Sequence, residues 1–238
     1  MPVHTYRKIV ETMDTTTLEI RYSIAQAAVD LYEQNPGQFT LKNVGKNIGQ
    51  TPSDIYGHFD NKEEILRFWY ESVVHRYQLM VAELDEYESL TLAEKISNFI
   101  YASLEMMGEH RQFVADTFDE LMYNHGKTTG MITEIEKMIT SFIEEDDRVP
   151  GFNRLFTGSL LYQFLADEYL HIVRFWISDE SENNEKTLEL VDKLTTFLEE
   201  LLYNAVVTRG FDLARFLYEQ GAVRIPNLLT YTRRFLPF

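Results

Sequence analysis

The chain has no cysteine, which excludes disulfides and thiol chemistry and fits a reducing compartment. Breakers are scarce: 11 Gly and 6 Pro in 238 residues. With so few turn residues and so much Leu, Ile, Glu and Lys, the composition favours helix over a turn-rich β fold. No segment alternates with the period of two that marks a strand. No apolar run approaches the roughly 20 residues that span a bilayer. The opening MPVHTYRKIVETMD lacks the apolar centre of a signal peptide. The expectation is a soluble, cytoplasmic protein with no membrane partner. Enzyme signatures are missing too: no nucleophile elbow, no glycine-rich phosphate loop, no zinc-type His/Cys spacing. Neither catalytic residues nor a cofactor are expected.

What is present is apolar mass and acidity. Apolar residues make up 45% of the chain and aromatics 13%, enough for a real core in one or two domains. The net charge is −16, which by itself argues against nucleic acid. Its distribution changes that reading. Residues 1–62 hold six basic and seven acidic residues, a net of −1; the other 16 basic and 31 acidic residues give −15. A near-neutral contact module on an acidic body has this asymmetry, as does a plain solvated acidic surface.

Helix signals run the length of the chain. Thr16 and Glu19 have capping-box spacing ahead of a helix to Gln34, with Leu18, Tyr22, Ala25, Val29 and Tyr32 on one face. Thr40 caps a short helix over Leu41–Asn47, which Gly49 breaks. Thr51 and Pro52 start another, reaching about His58. Asp60 and Asn61 cap a long one, predicted to run to Tyr87. Thr91 and Glu94 open a helix to Gly108. Further helices are predicted over Arg111–Asn124, Thr128–Glu144, Phe152–Ile177, Glu185–Val207 and Asp212–Gln220.

Two short helices joined by a tight glycine-containing turn behind a longer helix make a helix-turn-helix. The second can be short because it only has to present a few side chains to a major groove. Ile55 and Phe59 plug its core, Tyr56 and His58 point polar tips outward, and the start of the next helix, with Lys62, suits a phosphate.

The segment FTLKNVGKNIGQTPSDIYGHFDNKEEIL (39–66), preceded by IAQAAVDLY (24–32), resembles the DNA-binding domain of the TetR family of bacterial repressors. The stretch RFWISDESENNEKTLELVDK (174–193) more faintly resembles C-terminal domains of that family. The resemblance implies an all-α fold: a three-helix head over 1–62 and a helical regulatory and dimerisation body over 63–238. It implies a homodimer through the helices near 152–177 and 185–207, a small hydrophobic ligand, and operator DNA released when that ligand binds. Thr51, Ser53, Asp54 and Gly57 are then expected to face bases. Thr40, Lys42, Tyr56, His58 and Lys62 belong to the same interface, the last four on phosphates, with Arg7, Lys8, Arg21 and Lys46 adding charge. Four positions depart from the family pattern: Gly45 for alanine, Gln50 for an apolar residue, and Asp54 and Gly57 where the family often carries a neutral or basic contact residue, in a reading helix without Lys or Arg. These departures motivate an alternative, a binder of lipid or hydrophobic molecules with a vestigial head.

In the body, Met106, Phe113, Phe118, Met122, Tyr123, Tyr162 and His171 are candidate pocket residues, with His110 and His125 as further polar anchors. Glu168 and His171 have the spacing of half a di-iron site, but no second half exists, and no metal is expected.

Overall fold

The computed structural model describes residues 15–84, 86–125, 129–151, 153 and 157–204. Every α-helix and short helical turn among them confirms the all-α expectation; no strand occurs among the described residues. The α-helices are α1 (Thr15–Gln34), α2 (Leu41–Ile48), α3 (Pro52–Tyr56), α4 (Lys62–Val81), α5 (Leu92–Gly108), α6 (Arg111–Phe118), α7 (Gly130–Glu144), α8 (Ser159–Ile177) and α9 (Glu185–Tyr203).

Local capping sets most of the starts. Thr40, Thr51, Asn61, Thr91 and Thr129 each stand in extended backbone, and each side chain accepts a hydrogen bond from the backbone N–H three residues on. At Thr91 the box closes as expected: the Thr91 N–H donates to Glu94 Oε2 at 2.6 Å. One such cap contributes about 1 kcal/mol.

Several boundaries differ from expectation. The helix of α1 already includes Thr15, so Thr16 lies inside it rather than capping it. The long α4 ends at Val81, and Tyr87 sits in a separate 3-10 turn. Burial explains this: Tyr87 turns back so that its hydroxyl meets that of Tyr77 at 2.9 Å. The helix after His110 is α-helical only to Phe118 and continues as a π turn over Asp119–Tyr123. There Arg174 of α8 pairs with Asp119 at 3.2 Å and lies 4.4 Å from the Tyr123 ring. α8 begins at Ser159, not near 152, and α9 ends at Tyr203, where Asn204 turns extended. The predicted helix Asp212–Gln220 and the Arg-containing tail lie outside the described residues.

One continuous core runs through the molecule, with α4 as its spine. Trp69, Tyr70 and Tyr77 of α4 are fully buried. Phe113 of α6 stacks on Tyr70 (5.6 Å) and meets Trp69 (5.2 Å) and Tyr32 of α1 (5.3 Å) edge-on. Phe99 of α5 lies between Tyr77 and Tyr169 of α8. Two buried hydroxyls of this core are paired: Tyr169 donates to Ser103 Oγ at 2.9 Å, and Tyr70 and Thr117 share a bond of 2.8 Å, whereas the Tyr22 hydroxyl has no hydrogen-bond partner among the described residues. A buried phenol left unpaired would cost about 1–3 kcal/mol.

Candidate nucleic-acid interface and apolar cavity

The turn between α2 and α3 depends on two glycines. Gly49 sits at φ 72° in the left-handed region, which stops α2 at low steric cost only for glycine. Gly45 allows the turn to close against the helix: the Gln50 N–H donates to Gly45 O at 2.8 Å, and a Cβ at Gly45 would lie 2.3 Å from Gln50 O. The departure from alanine is thus a packing requirement of this turn.

α3 shows one face to the core and the other to solvent. Ile55 and, just beyond the helix, Phe59 are buried, as expected. Thr51, Ser53, Asp54, Tyr56 and Gly57 are exposed and His58 is half-buried. Thr51 and Asp54 are joined in a capping box that the T-P-S-D spacing would have revealed. Asp54 Oδ2 accepts from the Thr51 N–H (2.9 Å) and the Thr51 hydroxyl (2.8 Å), while Thr51 Oγ1 accepts from the Asp54 N–H (3.2 Å). The backbone and side-chain hydrogen bonds from Thr51, with His58 nearby, hold the Asp54 carboxyl below its ordinary range. Asp54 is therefore an ionised cap. Its Oδ1 has no partner among the described residues.

The cations near this face divide into two kinds. Lys42 and Lys46 on α2 are exposed and form no ion pair among the described residues. Arg21 and Lys62, both expected on phosphates, are used inside the head instead. Arg21 donates from Nη1 to His58 O at 2.9 Å, with its guanidinium carbon 4.3 Å from the Phe59 ring and 4.4 Å from that of Phe68. It also faces Glu64 at 3.8 Å. Lys62 donates from Nζ to Phe39 O at 2.9 Å. Charge and exposure of this kind cannot be read from a partner 37 residues away. The start of α4 is also less open to an anion than expected. Asn61 Oδ1 takes the Glu64 N–H, and the Glu64 carboxylate takes the Asp60 N–H at 2.8 Å. Thr40, assigned to the interface by sequence, caps α2 by accepting from the Asn43 N–H at 3.2 Å. Arg7 and Lys8 lie outside the described residues.

An apolar cavity of about 280 Å³ opens between α5, α7, α8 and α9, lined by Ile96, Phe99, Phe164, Tyr169, Phe197 and Leu198 among others. Glu168 is the one charged side chain in its lining among the described residues. None of the seven residues expected to line a pocket lies in it. Phe113, Phe118 and Met122 are buried in the aromatic core, which takes rings that pack on Trp69 and Tyr70. Met106 packs partly buried against that core. Tyr162 is buried, with its hydroxyl toward Glu144 at 3.3 Å. Tyr123 and His171 meet each other on the surface at 3.2 Å. His125 is exposed, and His110 belongs to a junction described below. No group of three or more metal-ligating side chains converges among the described residues, and no helix there is long and apolar enough to cross a membrane.

Comparison with known proteins accounts for this arrangement. The model of the tetracyclin repressor-like C-terminal domain matches residues 95–217, more than half of the chain. No curated protein matches it. Among solved structures, the fold is similar to that of the TetR transcriptional regulator from Nitrosomonas europaea ATCC 19718, with a TM-score of 0.53 and 18% identity over 75% of this chain and 96% of that one. With the body matched by the family model and a helix-turn-helix at its head, the chain belongs to the TetR family of transcriptional regulators.

Proposed function

We propose that this regulator works as a homodimer that binds operator DNA sequence-specifically and is released by a small hydrophobic ligand. The observation that carries the DNA reading is the exposed face of α3, held in place from behind by Arg21 and Lys62 and flanked by the exposed Lys42 and Lys46. Ser53, Tyr56 and the Gly57 backbone face bases. Asp54 Oδ1 is left to accept from a cytosine amine. Lys42, Lys46 and the His58 ring hold phosphates, and Lys62 contributes through the charge that its bond to Phe39 leaves at the surface. Residues 1–62 form the head and 63–238 the body, with α4 as the rod between them.

Dimerisation is supported by two apolar stripes. Leu160, Phe164 and Phe175 on α8 are exposed, as are Leu188, Leu194 and Phe197 on α9, with Phe197 at 63%. Exposed rings of this size in a row mark an interaction face. A second copy seated there covers the cavity mouth at Phe164 and Phe197, so that ligand and partner share a wall. Ligand that favours one head spacing shifts the population toward it.

A second reading has its own observation: the α3 face carries an ionised carboxylate and no cation. On that reading the head is vestigial. Selection of bound sequences from random duplex DNA at two salt concentrations separates the two. A palindromic motif that survives the higher salt is expected. Binding that vanishes with salt, without a motif, leaves the vestigial head. Light scattering should give twice the 28.0 kDa chain mass, reduced to one chain by Phe197→Ser.

A further inference from the structure

The face of α1 that meets the body carries Gln26, Asp30 and Glu33, and all three converge on His110, the residue that opens α6. His110 Nδ1 lies 2.8 Å from Glu33 Oε2. Its Nε2 lies 2.9 Å from Gln26 Nε2 and 4.0 Å from Asp30 Oδ1. On the other side, the Trp69 indole nitrogen of α4 lies 3.3 Å from Gln26 Oε1, and the Trp69 ring meets His110 edge-on at 5.5 Å.

Donor and acceptor chemistry leaves one assignment. An indole nitrogen only donates, so the Gln26 oxygen faces Trp69 and its NH2 faces away. That NH2 donates to Asp30 Oδ1 at 2.9 Å and to His110 Nε2. His110 therefore accepts at Nε2 and carries its proton on Nδ1, from which it donates to Glu33. The neutral ring is satisfied on both sides. A second proton has no acceptor within hydrogen-bond reach: an Nε2–H would point at an NH2 group 2.9 Å away, and Asp30 Oδ1 lies 4.0 Å off.

We propose that His110 is a proton-operated latch between head and body, in which protonation breaks the Gln26 tie of α1 to Trp69 on α4 and leaves α1 held to His110 on α6. Two donors cannot share the Gln26–His110 line. Gln26 either turns over, giving its oxygen to His110 and its NH2 to the indole, or it withdraws. Both movements break the Gln26–Trp69 bond. When Gln26 withdraws, Asp30 Oδ1 is freed as well and pairs with the imidazolium alongside Glu33. In the neutral state Gln26 ties α1 to both Trp69 on α4 and His110 on α6; in the charged state its bond to Trp69 is gone, while Arg21 and Tyr22 still hold α1 to Glu64 and Phe68 of α4. The charged groups around the ring are Asp30 and Glu33 from α1, Arg76 from α4 with its guanidinium carbon 6.0 Å from the Trp69 ring, Glu109 at the end of α5, and Arg111 of α6. Arg111 is held elsewhere, 4.3 Å over Trp176 and donating to Trp176 O at 2.9 Å. Because α1 is the base of the head, the latch is a route from pH to DNA affinity; that consequence rests on the DNA-binding reading, whereas the latch itself does not.

The full chain has two tryptophans, so a ¹⁵N-labelled sample shows two indole N–H resonances. Between roughly pH 8 and pH 5, where histidines change charge, the Trp69 resonance should move upfield as its hydrogen bond is lost, with the same midpoint as the His110 ring nitrogens, while Trp176 stays. His110→Gln should flatten the Trp69 response. Asp30→Asn, at a half-exposed position, should move the midpoint. A Trp69 resonance that is flat in the wild type, or that still titrates in His110→Gln, overturns the latch. With a selected duplex at fixed salt, affinity should differ by about fivefold or more between the two pH limits in the wild type, and not in His110→Gln. Equal affinity at both limits, with Trp69 titrating, overturns the coupling to the head. Failure to bind any duplex at either pH counts against the DNA reading alone and leaves the indole titration as the test.

Discussion

In the head, four cations among the described residues stand near the helix-turn-helix and divide in two. Lys42 and Lys46 extend into solvent, while Arg21 and Lys62 are turned onto backbone carbonyls and aromatic rings. In the body the division falls among aromatic residues. Phe113 and Phe118 are enclosed on all sides, whereas Phe164 and Phe197, of the same chemistry, stand in the open beside the cavity. In both regions residue type says what a side chain can do, and its neighbours in space decide which of its roles it takes. The five-residue reading helix itself buries only Ile55, so polar ties help to anchor it. The body has rings to spare and leaves some of them exposed.

Four experiments would break or sharpen this contrast. The largest effect is expected from Phe113→Ala, which removes a fully buried ring between Trp69, Tyr70 and Tyr32. It should cost about 3–5 kcal/mol in chemical denaturation. A loss below about 1 kcal/mol, with altered ligand affinity instead, would return Phe113 to a pocket role. Next is Gly45→Ala. Helix propensity alone would reward alanine by about 1 kcal/mol, but its Cβ meets a backbone oxygen that cannot swing away. A net loss of about 1–3 kcal/mol is expected, and a gain would show that the turn relaxes.

A paired comparison follows. Arg21→Met should destabilise the chain by about 1–3 kcal/mol, because it strips the His58 carbonyl of its donor. Lys42→Ala should change stability by no more than about 0.5 kcal/mol, yet reduce the salt slope of DNA binding by about one. Equal behaviour of the two variants would erase the division between internal and external cations. The smallest effect concerns acid. Asp179 accepts from the hydroxyls and backbone N–H groups of Ser181 and Thr187, which hold its carboxyl far below the usual range. A depressed carboxyl contributes stability above its unfolded pKa, which is lost as pH falls through the folded value. Wild type should therefore lose more stability than Asp179→Asn below about pH 4, as followed by thermal unfolding.

How much was legible follows from where each partner lies in the chain. The caps at Thr40, Asn61 and Thr91 involve residues three apart, and sequence spacing found them; the box at Thr51 and Asp54 has the same spacing and was readable in the same way. The clamp of Arg21 on His58, the tie of Lys62 to Phe39 and the network at His110 join residues 37, 23 and 77 to 84 apart. No periodicity encodes such pairs. The end of α4 and the π turn after Phe118 were missed because burial of Tyr87 and the contacts of Arg174 with Asp119 and Tyr123 override local helix preference.

By itself the sequence determined the helical class, the helix-turn-helix with its buried Ile55 and Phe59, and the resemblance that the family match bears out. These rest on short-range forces: hydrogen bonds at caps, left-handed glycine and amphipathic spacing. Only the tertiary structure decided which cations remain available, which aromatic residues close the core and which border the cavity, and that His110 joins the head to the body. Those outcomes depend on desolvation and on donor–acceptor matching between elements distant in the chain, and such matching exists only once the helices have packed.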